Sequence, residues 1–375
     1  MRFVLYVHSL VSDWNHGNAH FLRGIARELT ADGHAVLALE PEDGWSRSNL
    51  LADQGPTALD DFAAAFPELV VRTYGPDFDH AAAVADADVV LAHEWTDPTV
   101  LAELGRLRRT GGFTLLFHDT HHRAVSDARA IGGLALEDCD AVLAFGESLA
   151  ERYRARGWGR QVAVWHEAAD TRLFRPPTDP TRRDGDLIWI GNWGDGERAA
   201  ELEEFLIGPA RTLGLAGEVR GVRYPAEALE RLAETGLAYR GWIANAEAPA
   251  AFARFKATVH VPRRPYAEAL PGIPTIRMFE ALACGIPLAA APWDDAEGLF
   301  RDGDYLKAAN GEAMVRHLRT LCRDPAAAAE IAAHGLETVR TRHTCRHRVE
   351  ELYRILAVHG AARARAALSP EEIGR

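Results

Sequence analysis

In the stretch PGIPTIRMFEALACGIPLAAAPW, Pro271–Trp293, a cation and a carboxylate stand three residues apart, Arg277 and Glu280. Three-residue spacing puts both on one face of a helix. Gly272 and Pro274 suit the helix entrance, where proline's missing N–H costs nothing. Gly285 suits a left-handed C-cap, and Pro287 forbids continuation. The expected helix runs over Pro274–Cys284, with Ile276, Phe279 and Ala283 on its buried face, and Leu288–Ala291 follows as a short apolar strand. First-turn amides have no partner inside a helix and attract anions. Arg263 and Arg264, in VPRRPY, precede this helix start. Guanidinium forks converging on free amides suit a diphosphate. Glu280, one turn in, is then placed to accept hydrogen bonds from ribose hydroxyls. Helix grammar alone also allows an ordinary amphipathic helix with a surface ion pair.

A glycine-rich turn stands between a strand and a helix in DLIWIGNWGDGER, where Gly191, Asn192, Gly194 and Gly196 crowd together. Such a turn lets backbone approach a phosphate. Its G-x-x-G-x-G spacing is not the dinucleotide fingerprint, no GK[ST] is present, and a plain turn explains it as well.

Two clusters in the first half carry titratable groups. LVSDWNHGNAHFLRG places His16, Asn18 and His20 in one strand-to-helix turn, where a histidine has the pKa of a general base. A polar loop with a helix cap is the alternative. FHDTHHR places His118, Asp119 and His122 at another strand end, and Glu94 in HEW ends a third. Together they read as a polar wall for a second substrate. His118 and His122 are four apart, a spacing open to a metal, but the zinc pattern H-E-x-x-H is absent. Asp86-x-Asp88 and Asp138-x-Asp140 precede strands, at the wrong end of a sheet for a ligand site. No metal site is expected.

The elements that must position these groups alternate strand and helix almost throughout, which reads as α/β with parallel sheets. Strands are expected at Arg2–Ser9, His34–Glu40, Leu69–Thr73, Val89–His93, Phe113–His118, Ala141–Phe145 and Val162–Trp165, with a helix over His16–Asp32. The proline-rich segment Thr171–Asp186 reads as a linker. A second series follows, with strands at Leu187–Ile190, Gly217–Val222, Ala238–Tyr239, Ala257–Val261 and Leu288–Ala291 and a helix over Glu197–Leu206. The division expected is a Rossmann-like domain over 1–176, a second over 177–345, and a C-terminal helix and tail over 346–375, the helix free to pack back on the first domain and the tail frayed after Gly360. Two such units face each other across a cleft, with ligands beyond the carboxyl ends of the strands.

Composition narrows the partners. Asp and Glu total 54 against 42 Lys and Arg, a formal net charge of −12, which excludes the basic footprint of a nucleic-acid binder. There is no apolar run of 18 residues, so no transmembrane segment is expected, although peripheral membrane contact stays open. Four scattered cysteines without C-x-x-C point to reduced thiols in the cytoplasm.

IWIGNW with its acidic helix, Gly241-Trp242 after Tyr239-Arg240, VPRRPY, PTIRMFEALACGIPLAAAPW and the closing RHTCRHRVEELYRIL carry a resemblance. Over about Asp186–Leu356 the chain resembles the nucleotide-sugar-dependent glycosyltransferases of the GT-B fold, of the bacterial "glycosyl transferases group 1" type that includes CgeB-like proteins. The first half is similar only in architecture and in WHEAADTRLFRP. The resemblance implies a metal-independent transfer from a nucleotide-diphosphate sugar, with no other cofactor and with UDP first among the bases. Glu280 matches the glutamate that binds the donor ribose, amides at Gly272 and Ile273 match the diphosphate-holding helix start, and Gly241 and Trp242 fall where the nucleobase is contacted. The acceptor, whether glycan, lipid, protein or small metabolite, then belongs to the first domain near Asn18, His20 and Glu94, with His16, Asp119 or His118 as catalytic groups. Domain closure would keep water from the sugar. Retaining relatives often carry a glutamate eight positions before the second one, in an E-x7-E pattern. Here that position is Gly272, and the nearby Glu268 has the wrong spacing. Inversion or retention is therefore left open, as are a sugar-nucleotide 2-epimerase activity and a surface-assembly protein with a decayed site.

Overall fold

The structure is a computed structural model that describes residues 1–178, 183–369 and 372. Contacts divide the chain into two compact units, Met1–Glu167 with Cys345–Arg375, and Ala168–Thr344. From sequence the same junctions are expected at 176/177 and 345/346. The linker read over Thr171–Asp186 includes residues 179–182, which lie outside the described residues.

Unit 1 holds a parallel sheet of β1 Arg2–Tyr6, β2 Ala35–Pro41, β3 Val71–Tyr74, β4 Val89–His93, β5 Thr114–Asp119, β6 Ala141–Ala144 and β7 Val162–Val164. Their order is β3-β2-β1-β4-β5-β6-β7, so the winding reverses between β1 and β4. β4 and β5 are buried at every residue, as strands covered on both faces must be, and their central residues Val89–Ala92 and Leu115–Phe117 are apolar. β1 stops at Tyr6 rather than Ser9 because a buried carboxylate captures the next residues. Glu40 accepts hydrogen bonds from the Leu10 and Val11 amides, at 2.7 and 3.1 Å, and from the Ser9 hydroxyl. The following helix begins at Ala19, not His16, since the His16 amide closes a turn onto the Asp13 carbonyl.

The last long helix, Cys345–His359, packs on helix Ala19–Ala31. Arg346 and the Tyr353 hydroxyl both bond the Asp32 carboxylate at 2.7 Å, and the Trp165 indole donates to the Arg348 carbonyl at 2.8 Å. A further helix, Ala362–Ala367, forms where the sequence suggests a frayed tail. Arg363 holds it to Asp88 at 2.8 Å, and Ala364 is buried. The expected tail also takes in residues 370, 371 and 373–375, which lie outside the described residues.

Unit 2 is a second parallel sheet, of β8 Gly185–Ile190, β9 Ala216–Arg220, β10 Gly236–Tyr239, β11 Phe255–His260, β12 Leu288–Ala290 and β13 Leu306–Lys307. Its order, β10-β9-β8-β11-β12-β13, reverses between β8 and β11. The two-residue β13 has no signal in the sequence. The helix expected over Glu197–Leu206 is broken into Ala199–Leu202, a π turn Glu203–Ile207, and Gly208–Leu213. Pro209 lacks the N–H that an unbroken α-helix would use there, so the frame widens by one residue.

Candidate functional site

Strands at a reversal point splay their carboxyl-end loops apart and open a crevice. In unit 2 that point lies between β8 and β11, so the loops at 191–198 and 261–275 border it. The helix that follows the second of these loops runs over Ile276–Ala283, with Thr275 as N-cap. Pro274 therefore precedes the helix instead of starting it. Gly285, at φ 66°, closes the far end in the left-handed conformation that glycine favours.

Thr275 makes no capping bond to its own helix. Its hydroxyl pairs instead with His260 Nε2 at 3.0 Å. The first-turn amides of Ile276 and Arg277, which have no carbonyl one turn back, are left without that cap. The amides assigned from sequence are engaged elsewhere. Gly272 donates to the Asp294 carbonyl at 2.7 Å and Ile273 to the Leu270 carbonyl at 3.3 Å. The uncapped first-turn amides thus lie four residues later than the sequence suggests.

Glu280 is fully buried, and Arg277 donates to its Oε2. That removes the surface ion pair as an explanation, because a carboxylate withdrawn from water needs a partner or a ligand. Arg263 reaches Glu197 Oε2 at 3.1 Å. Arg264 turns outward, to Glu201 at 2.8 Å and the Gly196 carbonyl at 2.7 Å. Arg264 is therefore bound to the outer side of the loop.

A third guanidinium, passed over in the sequence, completes the corner. Arg198 is buried, lies 5.2 Å over the Trp189 ring, and donates to the Val261 carbonyl at 3.0 Å and to the Asn192 carbonyl. It ties the loop after β8 to the loop after β11. Its Nε has no partner among the described residues and lies against Gly194, where any Cβ would stand 3.0 Å from it. Burial, then the charges of Arg263 and Arg277 among its neighbours, lower its pKa to about 10. The charges of Arg263 and Arg277 are themselves balanced by Glu197 and Glu280. Arg198 follows the Gly191–Gly196 turn in GDGER, and that position was the available signal.

Among the remaining sequence candidates, Gly191, Asn192 and Gly241 are tied into the loops after β8, β9 and β10. The Gly191 carbonyl accepts from Trp189 Nε1 and the Tyr224 hydroxyl, at 3.1 and 2.8 Å. Asn192 Oδ1 accepts from the Val222 amide at 2.9 Å, and the Gly241 carbonyl from the Gly221 amide at 2.8 Å. Trp242 keeps a buried indole N–H without a partner among the described residues. At Gly272, φ is 86°, and a Cβ there would stand 2.6 Å from Glu297 Oε1. The place where E-x7-E would carry its first glutamate is filled by the carboxyl of Glu297.

In unit 1 the reversal point lies between β1 and β4. Thr120, after β5, is the hub. Asn18 Nδ2 donates to its hydroxyl, His93 Nε2 approaches the same oxygen at 3.2 Å, and its amide donates to Glu94 at 3.0 Å. Asp119 accepts from the Tyr153 hydroxyl at 2.6 Å and the His121 amide at 2.9 Å. Burial raises its pKa to about 6. Burial, then the charge of Asp119, pushes Glu94 well above the usual carboxylate range. His16 and His20 are buried. Burial, then the nearby His8 and Arg23, keeps His16 well below the ordinary histidine value. His118 is a core residue, packed 4.8 Å from Trp165, with its pKa pushed down to about 3 by burial and both ring nitrogens unpartnered among the described residues. His122 Nδ1 bonds Ser126 at 2.9 Å. Among the described residues no three His, Cys, Asp or Glu side chains are grouped to hold a metal ion.

Glu94 alone of these first-half candidates lines the 710 Å³ cavity of unit 1. His8, Trp45, Trp95 and Arg123 line it too and were not singled out from sequence. Their exposure depends on long-range packing, which leaves no local signal.

Residues 198–354 match a family model described as glycosyl transferase-like, a span that takes in Arg198, Arg263, Arg277, Glu280 and Glu297. No curated protein matches the chain. Among solved structures, HepE of Anabaena in complex with UDP-glucose is similar at 14% identity and a TM-score of 0.66, covering 95% of this chain and 99% of that one. Sucrose-phosphate synthase from Thermosynechococcus elongatus is similar at 17% identity and a TM-score of 0.64, covering 95% and 99%. A glycosyltransferase from Rickettsia africae follows at 10% identity and a TM-score of 0.65, covering 95% and 97%. No helix among the described residues is long and apolar enough to cross a membrane. With two parallel-sheet α/β domains and these structural neighbours, the chain has the fold of the GT-B glycosyltransferases.

Proposed function

We propose that the protein transfers a sugar from a UDP-sugar to a hydroxyl-bearing acceptor, without a metal ion and in a reducing, cytoplasmic setting. The observation that carries this reading is the corner of unit 2, where Arg198 feels the charges of Arg263 and Arg277, the helix that carries Arg277 starts uncapped, and Glu280 is buried one turn in. The cations and amides receive the diphosphate, and Glu280 takes the ribose hydroxyls. The family match over these residues and the UDP-glucose bound to HepE support the donor class. The CgeB-like type is the subgroup we favour, on IWIGNW, VPRRPY and most of all PTIRMFEALACGIPLAAAPW.

Transfer breaks the bond between the sugar C1 and the β-phosphate oxygen, and the electron pair leaves with UDP. The three guanidinium groups stabilise that charge as it develops, a role a metal plays in other sites. The acceptor oxygen bonds C1 and gives up its proton. We assign proton acceptance to Glu94, which lines the cavity of unit 1, with the buried Asp119 as its neighbouring charge. His16 then holds a neutral ring behind them, and His118 serves the core. Glu297, filling the place beside Gly272, is assigned to the donor sugar. The four free cysteines accord with the reducing setting.

Thermal denaturation in EDTA with UDP, GDP, dTDP and ADP tests the donor. UDP at about 100 times its Kd adds roughly 2.7 kcal/mol to stability and raises Tm. Stabilisation by another base alone, or by UDP only with a divalent cation added, refutes the corresponding part. UDP release that requires an acceptor separates transfer from epimerisation.

A further inference from the structure

The cavity of unit 1 has a composition that names a ligand class. It measures 710 Å³, within the roughly 300–1,000 Å³ of small-molecule sites. It opens at the carboxyl ends of β1 to β4, where His8, Trp45, Tyr74 and Trp95 line it. Trp45 and Trp95 are 42% and 43% exposed, the only large aromatics left so open among the described residues. Both ring centroids stand about 6 Å from that of His8, at 5.9 and 6.2 Å. Large apolar rings held open at a concave site mark a ligand surface.

The polar lining narrows the class further. Asp43, Asp97, Glu94 and Glu103 face one cation, Arg123. Arg123 is already engaged, stacked 4.3 Å over Trp95 and donating to the Glu94 carbonyl at 2.9 Å. Glu103 is paired with Arg106, and Asp97 caps the Thr99 amide at 2.7 Å. Burial keeps His8 near a pKa of 4, so its ring is neutral at neutral pH. A phosphorylated or carboxylated ligand would meet carboxylates without a free counter-charge. An acyl chain would meet Asp43 and Thr99 where it needs apolar walls. A pyranose fits both features, since its axial C–H face stacks on an aromatic ring while its equatorial hydroxyls reach carboxylates and threonines at the rim.

We propose that this cavity binds the acceptor and that the acceptor is a neutral saccharide, stacked on Trp45 and Trp95. Its assignment as acceptor rests on the transferase reading given above, while saccharide binding by unit 1 does not. The test is saturation-transfer NMR on the full chain with methyl glucoside, galactoside, mannoside and N-acetylglucosaminide, each as both anomers. Thermal stabilisation by UDP is measured on the same samples. At least one glycoside is expected to receive saturation at its ring C–H protons. Trp45→Ala and Trp95→Ala each weaken that binding roughly tenfold, with phenylalanine restoring part of it, and UDP stabilisation unchanged. A glycoside 6-phosphate binds no better than the neutral compound. Absence of saturation for every glycoside, binding that survives both substitutions, or preference for the phosphate overturns the proposal. Loss of UDP stabilisation in the wild type instead refutes the donor reading and leaves the saccharide result standing.

Discussion

Replacing Glu280 by glutamine tests the donor site with little change of shape. The carboxylate is buried and receives a charged hydrogen bond from Arg277, whose side chain is 19% exposed. Glutamine keeps an acceptor oxygen for Arg277 but loses the charge, and its amide nitrogen must sit where a ribose hydroxyl would donate. A hydrogen bond to a charged group contributes about 1.5–3 kcal/mol. The loss in UDP affinity is therefore roughly 10- to 150-fold. Stability is expected to fall by less than breaking a fully buried ion pair, which costs about 3–5 kcal/mol, because Arg277 retains some water and an acceptor. Isothermal titration with UDP, run beside a thermal melt in buffer, reads both quantities. A folded variant with unchanged UDP affinity would refute the reasoning, and Glu280 would then be a structural partner of Arg277 alone.

Three further outcomes follow from the geometry. Arg198→Met removes the bonds to the Asn192 and Val261 carbonyls that join two loops, and should weaken UDP by at least about tenfold. Equal UDP affinity in calorimetry would separate Arg198 from the diphosphate. Glu297→Gln should leave UDP affinity unchanged while cutting the added affinity of the UDP-sugar by up to about tenfold. A loss shared equally by UDP and UDP-sugar counts against its contact with the sugar. His118 and His260 have folded pKa values near 3, below the roughly 6.5 of an unfolded histidine, both through burial. Between those values the unfolded chain binds more protons, so stability is full above about pH 6.5 and falls by about 1.4 kcal/mol per pH unit for each such histidine as pH drops towards 3. His118→Phe should flatten a urea-midpoint profile taken between pH 7.5 and 5, and a profile as steep as wild type would show that His118 is not one of the titrating groups.

Much of the architecture was legible because its signals are local. Val89–His93, four apolar residues and a histidine, is a fully buried strand with the expected limits. Gly285 reads as a left-handed C-cap, and it stands at φ 66° after the helix end. Strand and helix limits shifted where a distant group intervened, as Glu40 does by drawing residues 9–11 out of the sheet edge. In the corner of unit 2, Glu280, Arg277 and the helix start could be read from three-residue spacing and flanking breakers. Which amides are open could not, because the Asp294 carbonyl that takes the Gly272 N–H comes from a later loop.

The sequence by itself determined the alternation of strands and helices, the acidic charge balance and the pairing of Arg277 with Glu280, since each depends on neighbours within a few residues or on composition alone. Tertiary structure decided which groups are buried, which stay open and which are brought together. It buried His118 against Trp165, left Trp45 and Trp95 open, brought Arg198 among Arg263 and Arg277, and set Glu297 in the space beside Gly272. The physical reason lies in strand order. Parallel crossovers bring residues far apart in the chain to the same carboxyl-end crevice, and burial then sets their charge state.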